Sequence, residues 1–200
     1  MPRYPKSESS RIKEEARQKL LEAALAEFAA QGYANANINR ISQAAGYAQG
    51  TVYNYFPSKQ ALFEAVVGDI ARQHSELILQ GAAGAADPAA RLERFFAAGF
   101  AFAQGFPAAA QVISTALHGA DPEVRALVRR AYEPLVTFVR EEIVQAGQIE
   151  GLFRRVDAEI ATALVLAVYL SGCSALAEGQ HIRRNPRVVA GLILAGLRAM

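Results

Sequence analysis

Apolar residues recur three and four positions apart along most of this chain, the spacing of one face of a helix, and two-residue alternations are few. Glycine and proline divide the pattern. A first helix is predicted over 10–30, with Leu21, Ala24, Leu25 and Phe28 as its buried stripe and Gly32 as its stop. Two short helices follow, one from Ile38 to about Ala45 and one over 49–55, with Gly46 between them. A longer helix runs over 59–80, where Leu62, Phe63, Val66, Val67 and Ile70 lie along one side. Past the small-residue loop 81–88, further helices are predicted at 89–104, 107–117, 122–146, 157–178 and 185–199. Pro107 and Pro122 stand where a helix start tolerates the missing N–H, and Asp121 and Asp157 are placed as N-caps. The pattern is that of an all-α protein of about nine helices: an amino-terminal three-helix unit, 1–58, a connecting helix, 59–80, and a helical body, 81–200.

The stretch 37–59 carries the most local detail. The Asn37 side chain can accept a backbone N–H two or three residues on. Ile38, Ile41, Ala44 and Ala45 then give the first short helix an apolar face. On the second, Val52 and Phe56 point one way, while Gln49 and Tyr53, four apart, share the other face. Pro57 stops it, and Ser58 can cap the next helix. Two helices joined by a glycine-containing turn form a helix-turn-helix. Gln49, Thr51, Asn54 and the hydroxyls of Tyr53 and Tyr55 are uncharged hydrogen-bonding groups suited to base edges and phosphate oxygens. Lys59 sits in the first turn of the following helix, where the macrodipole disfavours a cation unless a phosphate docks there too. Two readings stand on these residues: a DNA-binding element, or a helical hairpin whose polar face meets water.

Charge sharpens the picture through its distribution. The net is only +2, but residues 1–60 hold eight Lys and Arg against five Asp and Glu, and residues 61–200 hold thirteen against fourteen. All four lysines lie in the first part. A mildly basic head on a neutral body suits local contact with phosphates. Arg3, Lys6 and Arg11 would follow a DNA backbone as an arm, or form a solvated tail. Cys173 is the lone cysteine, so no disulfide closes within the chain and a reducing cytoplasm is expected. The first ten residues lack the apolar core of a signal peptide.

Gly32-Tyr33, Ile41, Ala44-Ala45-Gly46, Gly50-Thr51-Val52-Tyr53, Tyr55-Phe56, Ser58-Lys59 and Leu62-Phe63 with Val66 resemble the signature of TetR-type transcriptional regulators, over about residues 19–66. The resemblance implies a recognition helix, 49–55, lying in the major groove of an operator. The residues expected at DNA are Asn37, Asn39, Gln49, Gly50, Thr51, Tyr53, Asn54, Tyr55 and Lys59. Gln49 offers the donor and acceptor that match adenine, with Asn39 as a partner reader, and Tyr53 and Lys59 meet phosphate. The sequence departs from the family pattern at Ala48, where a hydroxyl often caps the recognition helix. It departs again at Gln49, often a basic residue, and at Asn37, often Thr.

Two runs in the body, 95–120 and 160–177, contain no charge. Each has the length of a membrane span. Gln104, Gly105, Pro107 and Gln111 break the first, and the second is rich in Ala and Ser, so no membrane is expected. A helix as evenly apolar as 160–177 must be buried all round. It belongs either to a thick monomeric core or to a seam with a second copy. The resemblance implies the second, a homodimer paired through its last two long helices, with Leu166, Leu170, Cys173, Val189, Leu192 and Ile193 at the seam. The small side chain of Cys173 fits a close helix contact better than a redox switch. The aromatic residues between Phe95 and Phe106 exceed what one buried stripe needs. With the pocket that TetR-type bodies hold, they imply an effector site at Phe96, Phe100, Gln111, His118, Tyr132, Phe138 and Tyr169, for a small and largely apolar molecule.

No glycine-rich phosphate loop, nucleophile elbow or metal-spaced His, Cys and Asp set is visible. No catalytic residue, metal or cofactor is therefore expected. The expected function is a homodimeric repressor released from a palindromic DNA operator by a small molecule. The alternatives are a DNA binder without a ligand and a helical protein-interaction module.

Overall fold

The turns fall where glycine and proline punctuate the sequence. The computed structural model of the chain describes residues 6–177 and 185–198. Among these residues the helices are α1 Lys6–Asn35, α2 Ile38–Ala44, α3 Gln49–Tyr55, α4 Lys59–Ala82, α5 Pro88–Gly105 and α6 Pro107–His118. They continue as α7 Pro122–Ala131, α8 Glu133–Phe138, a π-helical segment Val139–Gln145, α9 Ala146–Ile149, α10 Ala158–Ala177 and α11 Pro186–Leu197. The described residues contain no β-strand, only an isolated bridge between Phe153 and Arg198. Arg3 and the last residues of the helices expected at 157–178 and 185–199 lie outside the described residues.

Two differences from the sequence pattern have physical causes. Helix α1 begins at Lys6, so Lys6 and Arg11, expected in an arm, belong to a helix. Its regular part ends at Gly32, whose φ of 70° only glycine takes without strain. The single helix expected over 122–146 is broken at Tyr132, which has φ −98° and ψ 2°. Pro134, two residues on, has no N–H to donate back to Arg130 and so cannot continue the ladder. The backbone restarts as α8 and then widens into the π segment, which still buries Val139, Ile143 and Val144.

The chain divides into two compact units, Met1–Asp69 and Ile70–Met200, and the division falls inside α4. In the first unit Leu20, Ala24 and Phe28 of α1, Ile38 and Ile41 of α2, Val52 of α3 and Leu62 and Phe63 of α4 are buried. Phe28 meets Phe63 edge to face at 4.9 Å. In the second unit α5 is the common element, packed against α6, α10, α11 and the π segment. Phe95, Phe96 and Phe100 are buried on it around the ring of Tyr169. Gly99 and Gly172 make this possible, since a Cβ at Gly99 would lie 2.1 Å from the Tyr169 hydroxyl and one at Gly172 would lie 2.4 Å from the Phe100 ring.

The first uncharged run is bent by 106° at the junction of α5 and α6, so it is two helices. The second, α10, is a single helix, and by length and composition it could cross a membrane. Its buried side is Ala161, Val165, Tyr169, Gly172 and Ala175, facing α5 and α6. Asp87, Asp121, Asp157 and Asn185 cap α5, α7, α10 and α11 through their side-chain oxygens.

Candidate functional site

The first unit presents a helix-turn-helix held by local hydrogen bonds. Asn37 Oδ1 accepts the Asn39 N–H at 2.8 Å and starts α2. At its other end Gly46 takes φ 77°. Tyr47 N–H then donates to Ser42 O at 2.8 Å and Gly46 N–H to Gln43 O at 3.1 Å, the paired bonds of a Schellman stop. Helix α3 starts at Ala48 without a side-chain cap, and Ser58 Oγ caps α4 by accepting the Ala61 N–H at 3.0 Å.

A residue the sequence pattern does not single out secures this unit. Glu27 of α1 is buried, accepts the Asn37 N–H at 3.1 Å and lies 3.6 Å from Arg40 Nε. Its carboxylate thus binds the start of α2 to α1. Removing it would strand a part-buried N–H, at a cost of about 1–3 kcal/mol. The signal in the sequence was an acid on the apolar side of α1, one position before Phe28.

On α3, Val52 is buried while Gln49, Gly50, Tyr53 and Asn54 are exposed on the outer face, and Thr51 and Tyr55 are half-buried. Asn37 and Asn39 are exposed at the start of α2, with the Asn37 side chain engaged as a cap. Ala44, expected on the apolar side of α2, is exposed, and Ser42 is buried instead, donating to Asn39 O at 2.9 Å. Lys59 is half-buried. Its Nζ donates to Ala34 O at 2.9 Å and lies 5.2 Å from the centre of the Tyr33 ring. Burial lowers its pKa, partly offset by the Glu27 carboxylate. Lys59 therefore holds the end of α1 as well as standing at the start of α4.

The second unit contains a cavity of about 480 Å³, within the range of small-molecule sites. Phe102, Ile113, Leu117, Val136, Leu166 and Leu170 supply most of its apolar wall. His74 of α4 is buried in it, stacked on Phe102 with ring centres 4.1 Å apart. His74 Nδ1 lies 3.1 Å from the Tyr132 hydroxyl and Nε2 lies 2.5 Å from the Tyr169 hydroxyl. Burial lowers the His74 pKa to about 4, so the ring is neutral at ordinary pH. Burial also raises both tyrosines, with the nearby Cys173 thiol adding to the effect. Ser114 and Ser174 share a hydrogen bond of 2.9 Å, and His118 Nδ1 lies 2.8 Å from Ser114 O. Arg129 and Glu133, both exposed, are the charged lining residues. Among the described residues no three His, Cys, Asp or Glu side chains gather where a metal would sit.

Of the residues expected at an effector site, His118, Tyr132 and Tyr169 line this cavity. Phe96 and Phe100 do not: they are buried core side chains packed against the Tyr169 ring. Phe138 packs against that same core, and Gln111 instead donates to Thr115 Oγ1 at 3.1 Å. His74, Phe102, Leu166, Leu170, Cys173 and Ser174 complete the lining, and His74 was legible in its spacing, four residues from both Ile70 and Ile78. The residues expected at a seam lie in three settings on the subunit. Leu166, Leu170 and Cys173 face the cavity, and Val189 and Ile193 pack on the core. Leu192 alone of the six is exposed, at 72%. The open apolar faces are formed by Ile160, Leu164 and Val168 on α10 and by Val188 and Leu192 on α11.

Comparison with known proteins fits this geometry. Residues 20–66 match the family model of bacterial regulatory proteins, tetR family. The HTH-type transcriptional regulator SrpR of Pseudomonas putida is 41% identical over 61 residues, which are 30% of this chain and 28% of SrpR. The chain thus aligns with less than a third of that curated relative. Among solved structures, the transcriptional regulator FadR from Bacillus subtilis in complex with stearoyl-CoA superposes with a TM-score of 0.82 at 19% identity, covering 90% of this chain and 99% of FadR. AibR, solved with isovaleryl coenzyme A and operator DNA, superposes with a TM-score of 0.73 at 19% identity, covering 92% and 98%. Likeness at that identity is likeness of fold. Residues 20–66 thus resemble the amino-terminal helix-turn-helix domain of the tetR family of bacterial regulatory proteins.

Proposed function

We propose that this protein is a homodimeric, sequence-specific DNA-binding regulator that represses from a palindromic operator in the cytoplasm and lets go when a small molecule fills the cavity. It has no catalytic role in this reading. The observation that carries it is the outer face of α3, where Gln49, Gly50, Tyr53 and Asn54 are exposed on a helix packed on α2, which Glu27 ties to α1. AibR, of the same fold, was solved with both operator DNA and an acyl coenzyme A, and FadR with another. Those pairings support the two-ligand reading here.

In this reading Gln49 and Asn39 read bases. Asn37, Thr51, Tyr53, Asn54 and Tyr55 position the backbone, where the small Gly50 lets it approach. Lys59 spends one of its three ammonium donors on Ala34 and keeps the others for phosphate. Release requires the effector to bind the two states unequally, because equal affinity shifts nothing. His74, a cavity residue, lies on α4, the helix that begins in the first unit with Lys59.

Gln49→Ala tests the reading at its sharpest point. On a duplex selected by the wild-type protein, fluorescence anisotropy is expected to show about 1–3 kcal/mol of lost affinity. Preference should relax at one symmetric pair of base positions while binding to random DNA stays unchanged. A variant that melts earlier but keeps its preference would make Gln49 a helix cap and remove it from the interface.

A further inference from the structure

We propose that the effector is an uncharged molecule, apolar over most of its length, whose one carbonyl or hydroxyl group meets the Tyr132 hydroxyl at the end of a Tyr169–His74–Tyr132 hydrogen-bond chain. This rests on the cavity being the effector site. The wall is mainly aliphatic and aromatic, and its two charged residues, Arg129 and Glu133, are exposed and opposite in sign. A buried anion or cation would lose its hydration against that wall, and no buried charged side chain lines it to replace the lost water.

Proton counting decides what the polar group must be. Both nitrogens of His74 are occupied, Nδ1 by Tyr132 and Nε2 by Tyr169. A neutral imidazole has one N–H and one lone pair. If Nδ1 carries the proton, it donates to Tyr132 and accepts from Tyr169 at Nε2. The Tyr132 O–H is then spare, ready for a ligand carbonyl. If Nε2 carries it, Tyr132 donates to Nδ1 and offers the ligand an oxygen lone pair, suited to a hydroxyl. Tyr169 does not serve as this outlet. It also contacts the Cys173 thiol, which itself donates to Gly99 O at 3.8 Å. Among the described residues the Tyr132 hydroxyl bonds His74 alone. Either tautomer leaves the hydroxyl of Tyr132, a cavity-lining residue, one further hydrogen-bonding position, and neither carries charge. Burial of His74 keeps the chain in these two neutral states.

The test uses the full chain and one carbon skeleton with four heads: methyl octyl ketone, its secondary alcohol, decanoate and decanoyl coenzyme A. Calorimetric titration is expected to give the ketone or the alcohol an affinity at least roughly tenfold above that of decanoate and of the coenzyme A thioester. Tyr132→Phe keeps the ring and its packing, and should weaken the ketone and alcohol by roughly three- to tenfold, the worth of one neutral hydrogen bond. Decanoate should bind the variant as it binds the wild type. Tighter binding of decanoate or of decanoyl coenzyme A, no binding by any of the four, or a Tyr132→Phe variant that holds the ketone unchanged would overturn the proposal. A melting curve of the variant separates a lost contact from a lost fold, and Tyr132→Trp, which blocks the same position, should then abolish ketone binding. The two readings fail separately. A ketone that binds as expected yet leaves operator affinity unchanged would defeat the regulatory role and leave the ligand class standing.

Discussion

Leu164→Arg and Leu192→Arg should each give a folded monomer that binds a palindromic duplex roughly a hundredfold more weakly, the order of gain that joining two binding modules supplies. Both residues are largely exposed, at 62% and 72%, so an arginine there costs a lone subunit little. In a seam between copies the same arginine would bury an unpaired charge, a change worth about 3–5 kcal/mol. The apolar stripe is what demands a cover. Ile160, Leu164 and Val168 follow one another by four on α10, with Ala163, Ala167 and Ser171 exposed among them. On α11, Val188 and Leu192 repeat the spacing, with Gly191 and Ala195 between and beyond. Each helix lays its other side on α5. Contiguous exposed apolar faces of this kind mark contact sites in soluble proteins. Sedimentation velocity checks the assembly and anisotropy the binding. A wild-type monomer at micromolar concentration, or arginine variants that still pair, would sink the dimer. Leu170→Arg is a different experiment, because Leu170 faces the cavity.

The second large effect is on stability against pH. The folded-state pKa of His74 is lowered to about 4 by burial, whereas the unfolded chain titrates this imidazole near 6.5. Between those values the unfolded state binds a proton that the folded state refuses. Stability is therefore full above about pH 6.5 and falls as pH drops toward about 4. At about 1.4 kcal/mol per pH unit, the loss attributable to His74 approaches roughly 3 kcal/mol. His74→Gln keeps a donor and an acceptor between the tyrosines and removes the titration. Urea unfolding across this window should show the wild type losing more stability than the variant, while carboxylate effects cancel in the difference. Parallel curves would place His74 in contact with water.

What the sequence revealed and what it withheld follow from the range of the interactions involved. The limits of α3, the stop at Gly46 and the caps at Asn37, Ser58, Asp121 and Asp157 depend on residues within a few positions of each other. Glu27 stands out locally as an acid beside Phe28, but its partner Asn37 lies ten residues along the chain, so no local pattern announces what it binds. Helix α10 is apolar on every side, so its composition says that it is covered without saying which side meets what. Leu166 and Leu170 thus turned out to line the cavity, and Leu164 the open face. The phenylalanines of α5 were legible as an aromatic excess, but whether an aromatic fills a core or walls a cavity depends on Gly99 and Gly172, which let Tyr169 and Phe100 fill the space.

The most direct test is a selection of duplexes from a random pool by the full-length protein, read by sequencing. Two copies of α3 related by a twofold axis should enrich an inverted repeat, with half-site centres about one helical turn, or a multiple of it, apart. An unenriched pool, or a single half-site without its mirror image, would contradict a dimeric DNA-reading regulator.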